Sequence, residues 1–275
     1  MATRKPTTFL PMLSLLLTYL LILLFVFLLQ RKIIYFPETY SRQQLTELAS
    51  RAALQAWPAV QNYRGLISHN QPTASKGSIV VFHGNAGSAV GRSYYCDALE
   101  RLGYRVILVE YPGYGSRPGP ISETALIDDG IQTAKMVLQD FSGPLFLWGE
   151  SLGGGVVAGI VASGQVPVAG IVLVTPFDSL ANVAQRHYWF FLGKWLVKDK
   201  FNNIQYLRNY SGNTAIIIAH QDEVIPNSHS LKLYEALSGR KKLWEFAQSG
   251  HNDLPLYPDQ AWWQEVMAFI DPQAQ

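Results

Sequence analysis

Past its N-terminal segment the chain alternates short, uniformly apolar runs with longer helix-like stretches. The short runs are rich in β-branched residues: SIVVF (78–82), VILVEY (106–111), PLFLWG (144–149), IVLVTP (171–176), AIIIAH (215–220) and KLWEF (242–246). Runs of that length without polar alternation predict strands covered on both faces. Residues 93–102, 122–139, 152–163, 228–237 and 259–270 predict the helices between them. Strand–helix alternation predicts an α/β fold, a mostly parallel central sheet with helices on both faces. Ahead of these lies a less patterned segment, about 33–70, in which KIIYF and RGLIS read as leading strands.

The N-terminus breaks the alternation. Residues 9–29, FLPMLSLLLTYLLILLFVFLL, carry no charge and are apolar all round. That is about the ~20 residues needed to cross a bilayer core as a helix. Arg4 and Lys5 precede the run, and Arg31 and Lys32 follow it. A cleaved signal would be shorter and end on small residues, whereas Leu28, Leu29 and Gln30 follow here. The reading is a single-pass membrane anchor over 1–32 and one folded α/β domain over 33–275. With basic residues at both ends, the membrane side is not assigned. The first candidate strand follows within a few residues, so the domain should lie against the headgroups.

Composition narrows the partners. A net charge of +2 over 275 residues shows no clustered basic excess, so nucleic acid is not expected as a partner. The single cysteine, Cys96, excludes an internal disulfide and reads as a buried helix residue. No His/Cys cluster has metal-ligand spacing, and neither a metal nor a cofactor is called for.

In a parallel sheet the chemistry collects at the carboxyl ends of the strands. After PLFLW comes Gly149-Glu150-Ser151-Leu152-Gly153, a G-x-S-x-G pattern between a strand and a helix. That context is what a nucleophile elbow requires, with Ser151 lifted from a sharp turn. Asp222 follows the strand at 215–220, and His251 follows the strand at 242–246. The order Ser151, Asp222, His251 suits a nucleophile, an orienting acid and a general base. Glu223 competes with Asp222 for the acid role. His220 reads as a brace on its strand, and Asp128 and Asp129 as a solvated helix face. A tetrahedral oxyanion needs two main-chain donors. Leu152, directly after the nucleophile, is one; Asn85 in the small-residue loop HGNAGS (83–88) is the other.

HGNAGS, EYPGYGSRPG (110–119), GESLGGG (149–155), TPFDSL (175–180), HQDEVIP (220–226) and SGHND (249–253) together resemble the membrane-anchored α/β-hydrolase-domain serine hydrolases. That family includes depalmitoylase-like and lysophospholipase-like members. The resemblance covers about 60–270 and implies an α/β-hydrolase fold with a small cap. It implies Ser151, Asp222 and His251 as the triad, with Asn85 and Leu152 at the oxyanion. Glu110 departs from the Asp common at that position, which shapes a loop. The implied substrate is an acyl ester or thioester, with a lipid or a lipidated protein as its carrier. A serine peptidase is the alternative enzyme, and a catalytically inactive, membrane-anchored interaction module is the alternative outside enzymes. RHYWFFLGKWLVKDKF (186–201) has no clean polar face at helical period. Either it is a cap helix buried on the sheet, or it forms an apolar wall or a lipid-facing surface.

Overall fold

The computed structural model describes residues 9–271. Arg4 and Lys5 lie outside the described residues. In chain order the elements begin with α1 (Phe9–Ile34), β1 (Phe36–Pro37), α2 (Arg42–Arg51), β2 (Leu54–Trp57), β3 (Gly65–Ser68), β4 (Ser78–Phe82) and β5 (Ala86–Gly87). Next come α3 (Tyr94–Leu99), β6 (Arg105–Val109), α4 (Glu123–Asp140), β7 (Leu145–Glu150), α5 (Leu152–Ala162) and β8 (Gly170–Val174). The chain continues through α6 (Leu180–His187), α7 (Gly193–Leu196), α8 (Asn203–Leu207), β9 (Asn213–Ala219), α9 (Asn227–Ala236), β10 (Lys241–Phe246) and α10 (Ala261–Ile270).

Eight strands form one sheet in the order β10-β9-β8-β7-β4-β6-β3-β2. The run from β10 to β6 is parallel; β3 and β2 join antiparallel at one edge. Successive residues of each strand feed opposite faces, so β4 splits its side chains between two cores. Val80 and Phe82 pack with α4, α5 and α8 through Leu126, Val156 and Leu207. Ile79 and Val81 pack with α2, α3 and α10 through Leu45, Leu99 and Trp263. Every residue of β4 and β8 is buried, which is why these strands read as unbroken apolar runs. β4 lies between β6 and β7, where the direction of strand addition reverses. That switch point opens a crevice at the carboxyl ends of β4 and β7.

The segment before β2 departs from expectation. Lys32, Ile33 and Ile34 of KIIYF continue α1, and only Phe36–Pro37 forms a strand, paired with β5 rather than with the main sheet. The physical reason is packing, for the last turns of α1 are docked on residues 190–199. Gln30 Nε2 donates to the Leu196 carbonyl (3.1 Å), and Gln30 Oε1 accepts from Lys198 N (2.6 Å). Arg31 makes a two-pronged contact with Asp199, at 2.8 and 3.0 Å. Nearer the N-terminus, Tyr19 Oη donates to the Phe190 carbonyl (2.7 Å). Elsewhere α1 stays largely exposed, and it is long and apolar enough to cross a membrane.

Most of the aromatic segment is likewise not buried on the sheet; only its end, at Phe201, enters the core. α6, a short turn at Trp189–Phe191 and α7 form a cap beside α1, with Trp189 67% and Trp195 77% exposed. Asp129 is no solvated face residue either. It accepts two bonds from Arg117 and one from Arg64, pinning α4 to the loop after β6.

Candidate active site

Ser151 joins β7 to α5 with φ 51° and ψ −111°, a left-handed conformation that a non-glycine residue enters only under constraint. Two contacts supply it. Ser151 N donates to the Val174 carbonyl of β8 (2.8 Å), and the flanking glycines let the elbow press against its neighbours. A Cβ on Gly149 would come within 2.6 Å of the Gly154 backbone, and one on Gly153 would collide with the Phe82 carbonyl. The spacing G-x-S-x-G is thus a packing requirement of a sharp turn between two strand ends.

The turn brings Ser151 Oγ 3.0 Å from His251 Nε2. His251 Nδ1 lies 2.7 Å from Asp222 Oδ2. The other carboxylate oxygen, Oδ1, accepts the main-chain N–H groups of Val224 (2.9 Å) and Ile225 (2.7 Å), so the loop after β9 holds the acid from behind. Glu223 points into solvent and meets none of these atoms. His220 is exposed and paired with Glu245 at 2.7 Å, a brace between the neighbouring strands β9 and β10. The three residues expected at the ends of β7, β9 and β10 therefore meet, although 100 residues separate Ser151 from His251.

The loop 83–88 lies against the elbow; a Cβ on Gly84 would stand 3.8 Å from Ser151 Cβ. Among the described residues, neither Asn85 N–H nor Leu152 N–H has an acceptor. Both residues line the pocket over Ser151. The Asn85 side chain donates to the Ile34 carbonyl (2.7 Å), tying this loop to the end of α1. The main-chain carbonyl of Asn85 accepts from Tyr114 Oη (2.8 Å) and Phe36 N (2.9 Å).

Behind the loop is a buried cluster of which the sequence marked only Glu110, as a loop-shaping residue. Glu110, wholly buried, meets His83 Nε2 at 3.2 Å and Tyr63 Oη at 3.3 Å, and it accepts from Ala89 N. Tyr111 Oη donates to the His83 carbonyl (2.8 Å). Glu110 is thus a clamp under the 83–88 loop, reached through residues scattered over the chain. Its only sequence signal was the motif EYPGYG. The neighbouring phenols of Tyr63 and Tyr111 are held above their ordinary range by burial, so both serve as neutral donors.

Two clefts meet at the triad. One is walled by Ile33 and Ile34 of α1, Leu180 and Val183 of α6, and Phe177, with Ser151 at its floor. The other adjoins His251 and is lined by Arg92, Tyr94, Glu150 and Asn252. There the Glu150 carboxylate takes Nε and Nη2 of Arg92, each at 3.1 Å. His187 lines the first cleft with its Nε2 3.0 Å from the Val224 carbonyl.

Comparison with known proteins agrees with this architecture. An uncharacterized protein of Mycobacterium tuberculosis is 29% identical over 263 residues, covering 92% of this chain and 91% of its own length. The lysophosphatidylserine lipase ABHD12 of Danio rerio is 29% identical over 184 residues, covering 60% of this chain and 48% of that one. The chain thus spans about half the length of that lipase. Among solved structures, a lipase-esterase related protein from Clostridium acetobutylicum has a TM-score of 0.59 at 14% identity, covering 74% of this chain and 98% of that chain. A Pyrococcus furiosus esterase has a TM-score of 0.59 at 17% identity, covering 77% and 86% respectively. At those identities the likeness is one of fold, the α/β-hydrolase fold. The family described as Hydrolase_4, serine aminopeptidase, S33, matches residues 73–215, from the strand before the 83–88 loop through the elbow and into β9. By that match and this fold, the chain belongs to the Hydrolase_4 family of α/β serine hydrolases.

Proposed function

We propose that this chain is a membrane-anchored serine hydrolase that cleaves acyl esters or thioesters. The observation that carries the reading is the hydrogen-bonded series from Ser151 Oγ through His251 to Asp222. Ser151 Oγ adds to the acyl carbon as its proton passes to His251 Nε2. Asp222 holds the imidazole tautomer and stabilises the imidazolium. The N–H groups of Asn85 and Leu152 receive the oxyanion, helped by the positive end of α5. Collapse expels an alcohol or thiol, which takes the proton from His251. Water, deprotonated by the same imidazole, then releases the carboxylic acid and restores the serine. Each step uses groups of the chain and water. Residues 1–32 act as the anchor of the 33–275 domain, with α1 in the membrane; its length and exposure support this. The lipid substrate in the name of the ABHD12 relatives supports a lipid-like acyl substrate here.

The family description makes a peptidase the second reading. An aminopeptidase needs an open carboxylate to hold the substrate ammonium. The acid lining the cleft beside His251, Glu150, already has both oxygens on Arg92, which favours the esterase. A fluorophosphonate probe tests the core of the proposal. Ser151 should label at neutral pH, and Ser151→Ala should remove both labelling and turnover of acyl esters. Folded protein that never labels would mean an inactive module; turnover of aminoacyl amides but not of esters would select the peptidase.

A further inference from the structure

Beyond the pocket over Ser151, a second groove runs between α1 and the cap. Val26 and Gln30 form its α1 wall, Ala184 and Tyr188 its α6 side, and Leu196 and Val197 its far side. Ile33, Ile34 and Tyr188 line both the groove and the catalytic pocket, so the two adjoin across these three side chains. Helical period explains the sharing. On α6, Val183 and His187 face the pocket, while Ala184 faces the groove and Tyr188, just past the helix end, touches both. The amide of Gln30 is already engaged by the cap main chain, which leaves a nearly apolar lining.

The two clefts beside the triad are not equivalent in chemistry. A leaving group must stand next to His251, which protonates it, and the cleft containing His251 is the polar one with Arg92 and Glu150. The acyl part then lies on the opposite side of the scissile bond, over Leu152 and Ile34, where the apolar groove begins. The outer face of the cap carries Trp189, Phe190 and Trp195, all exposed. Through Tyr19 and Gln30 the cap is fastened along about three turns of α1, roughly 16 Å at 1.5 Å per residue. That is about half of a ~30 Å bilayer core. A helix that spans the membrane therefore carries the cap and the groove into one leaflet.

We infer that the α1–cap groove is the acyl-chain site, filled sideways from the leaflet by the long acyl chain of a membrane-resident substrate, with the anchor helix as one of its walls. This rests on the reading of Ser151 as the nucleophile. The test uses the full chain in detergent micelles and a series of acyl thioesters from C4 to C16. Val26→Trp and Leu196→Trp fill the groove from opposite walls. Each should lower the ratio of kcat/KM for C16 over C4 by tenfold or more relative to the parent. The unaltered chain supplies a second readout, a long-chain fluorophosphonate carrying a diazirine at its far end. After reaction at Ser151, light should attach that end to the α1 peptide around Val26 or the cap peptide around Leu196. Attachment around Arg92 or Leu254, or an unchanged C16/C4 ratio in both variants, would overturn the groove while leaving the hydrolase standing. A parent chain that is not labelled at Ser151 would overturn the hydrolase reading, and this inference with it.

Discussion

At the scale of single residues, the site is a set of atoms held by neighbours that cannot move independently. Asp222 divides its two oxygens between His251 and the N–H groups of Val224 and Ile225. An amide at this position would still satisfy part of that loop but would present the wrong group to Nδ1 and turn the imidazole to the wrong tautomer. Asp222→Asn should therefore leave the melting temperature nearly unchanged while kcat falls by a factor approaching ~10⁴. Glu223→Gln, exposed beside it, should change kcat less than twofold in the same assay. The sequence alone left these two carboxylates as competitors, because adjacent residues share any one-dimensional signal. Side-chain direction separates them. Glu110, read from the sequence as loop-shaping, does this from a fully buried position by gripping His83 and Ala89.

At the scale of elements, α1 and the cap form one unit. The sequence treats residues 1–32 as separable, but α1 carries on through Ile34 and holds the cap by Tyr19, Gln30 and Arg31. A chain begun at Arg31 would leave Leu196 and Val197 facing solvent and the Asn85 loop tied to a frayed helix end. Such a chain should lose at least about tenfold in kcat/KM even on short soluble esters, because the geometry around a reacting centre tolerates little displacement. Limited proteolysis should then cut within residues 188–198. Retention of parental activity on a C4 ester would show that α1 is only a tether, as its sequence suggests.

At the scale of the molecule, the sheet brings residues from opposite ends of the chain to one crevice, and its edges set how the whole responds to pH. Glu100, at the end of the α3 region, is half-buried and accepts from Gln71 Nε2 (3.0 Å). Burial raises its carboxyl from 4.5 to about 7. A folded value above the unfolded one contributes stability that is complete below about pH 4.5 and is lost as the pH rises through 7. Glu100→Gln, which keeps the acceptor and removes the charge, should raise the melting temperature at pH 8 and give no gain at pH 4. A gain of equal size at both pH values would mean that a change in packing, and not the charge, is responsible.

The strands of the parallel core were legible because burial on both faces leaves an apolar run that the chain displays directly, as in residues 78–82 and 171–174. The elbow was legible because both glycines flank Ser151 in sequence, although only Gly149 is demanded by near neighbours; Gly153 is demanded by the distant carbonyl of Phe82. The order Ser151, Asp222, His251 followed from strand ends, which sequence marks well. Other features depend on which distant surfaces come together. The docking of α1 on the cap rests on Gln30 and Arg31 meeting residues more than 160 positions away. No local pattern distinguishes a helix that only crosses a membrane from one that also walls a pocket, since both need the same apolar residues. Nor does periodicity reveal that Tyr188, Trp189, Phe190 and Trp195 would stay exposed while Phe201 enters the core. Hydrophobicity specifies that a surface leaves water; only the tertiary structure decides whether protein or lipid receives it.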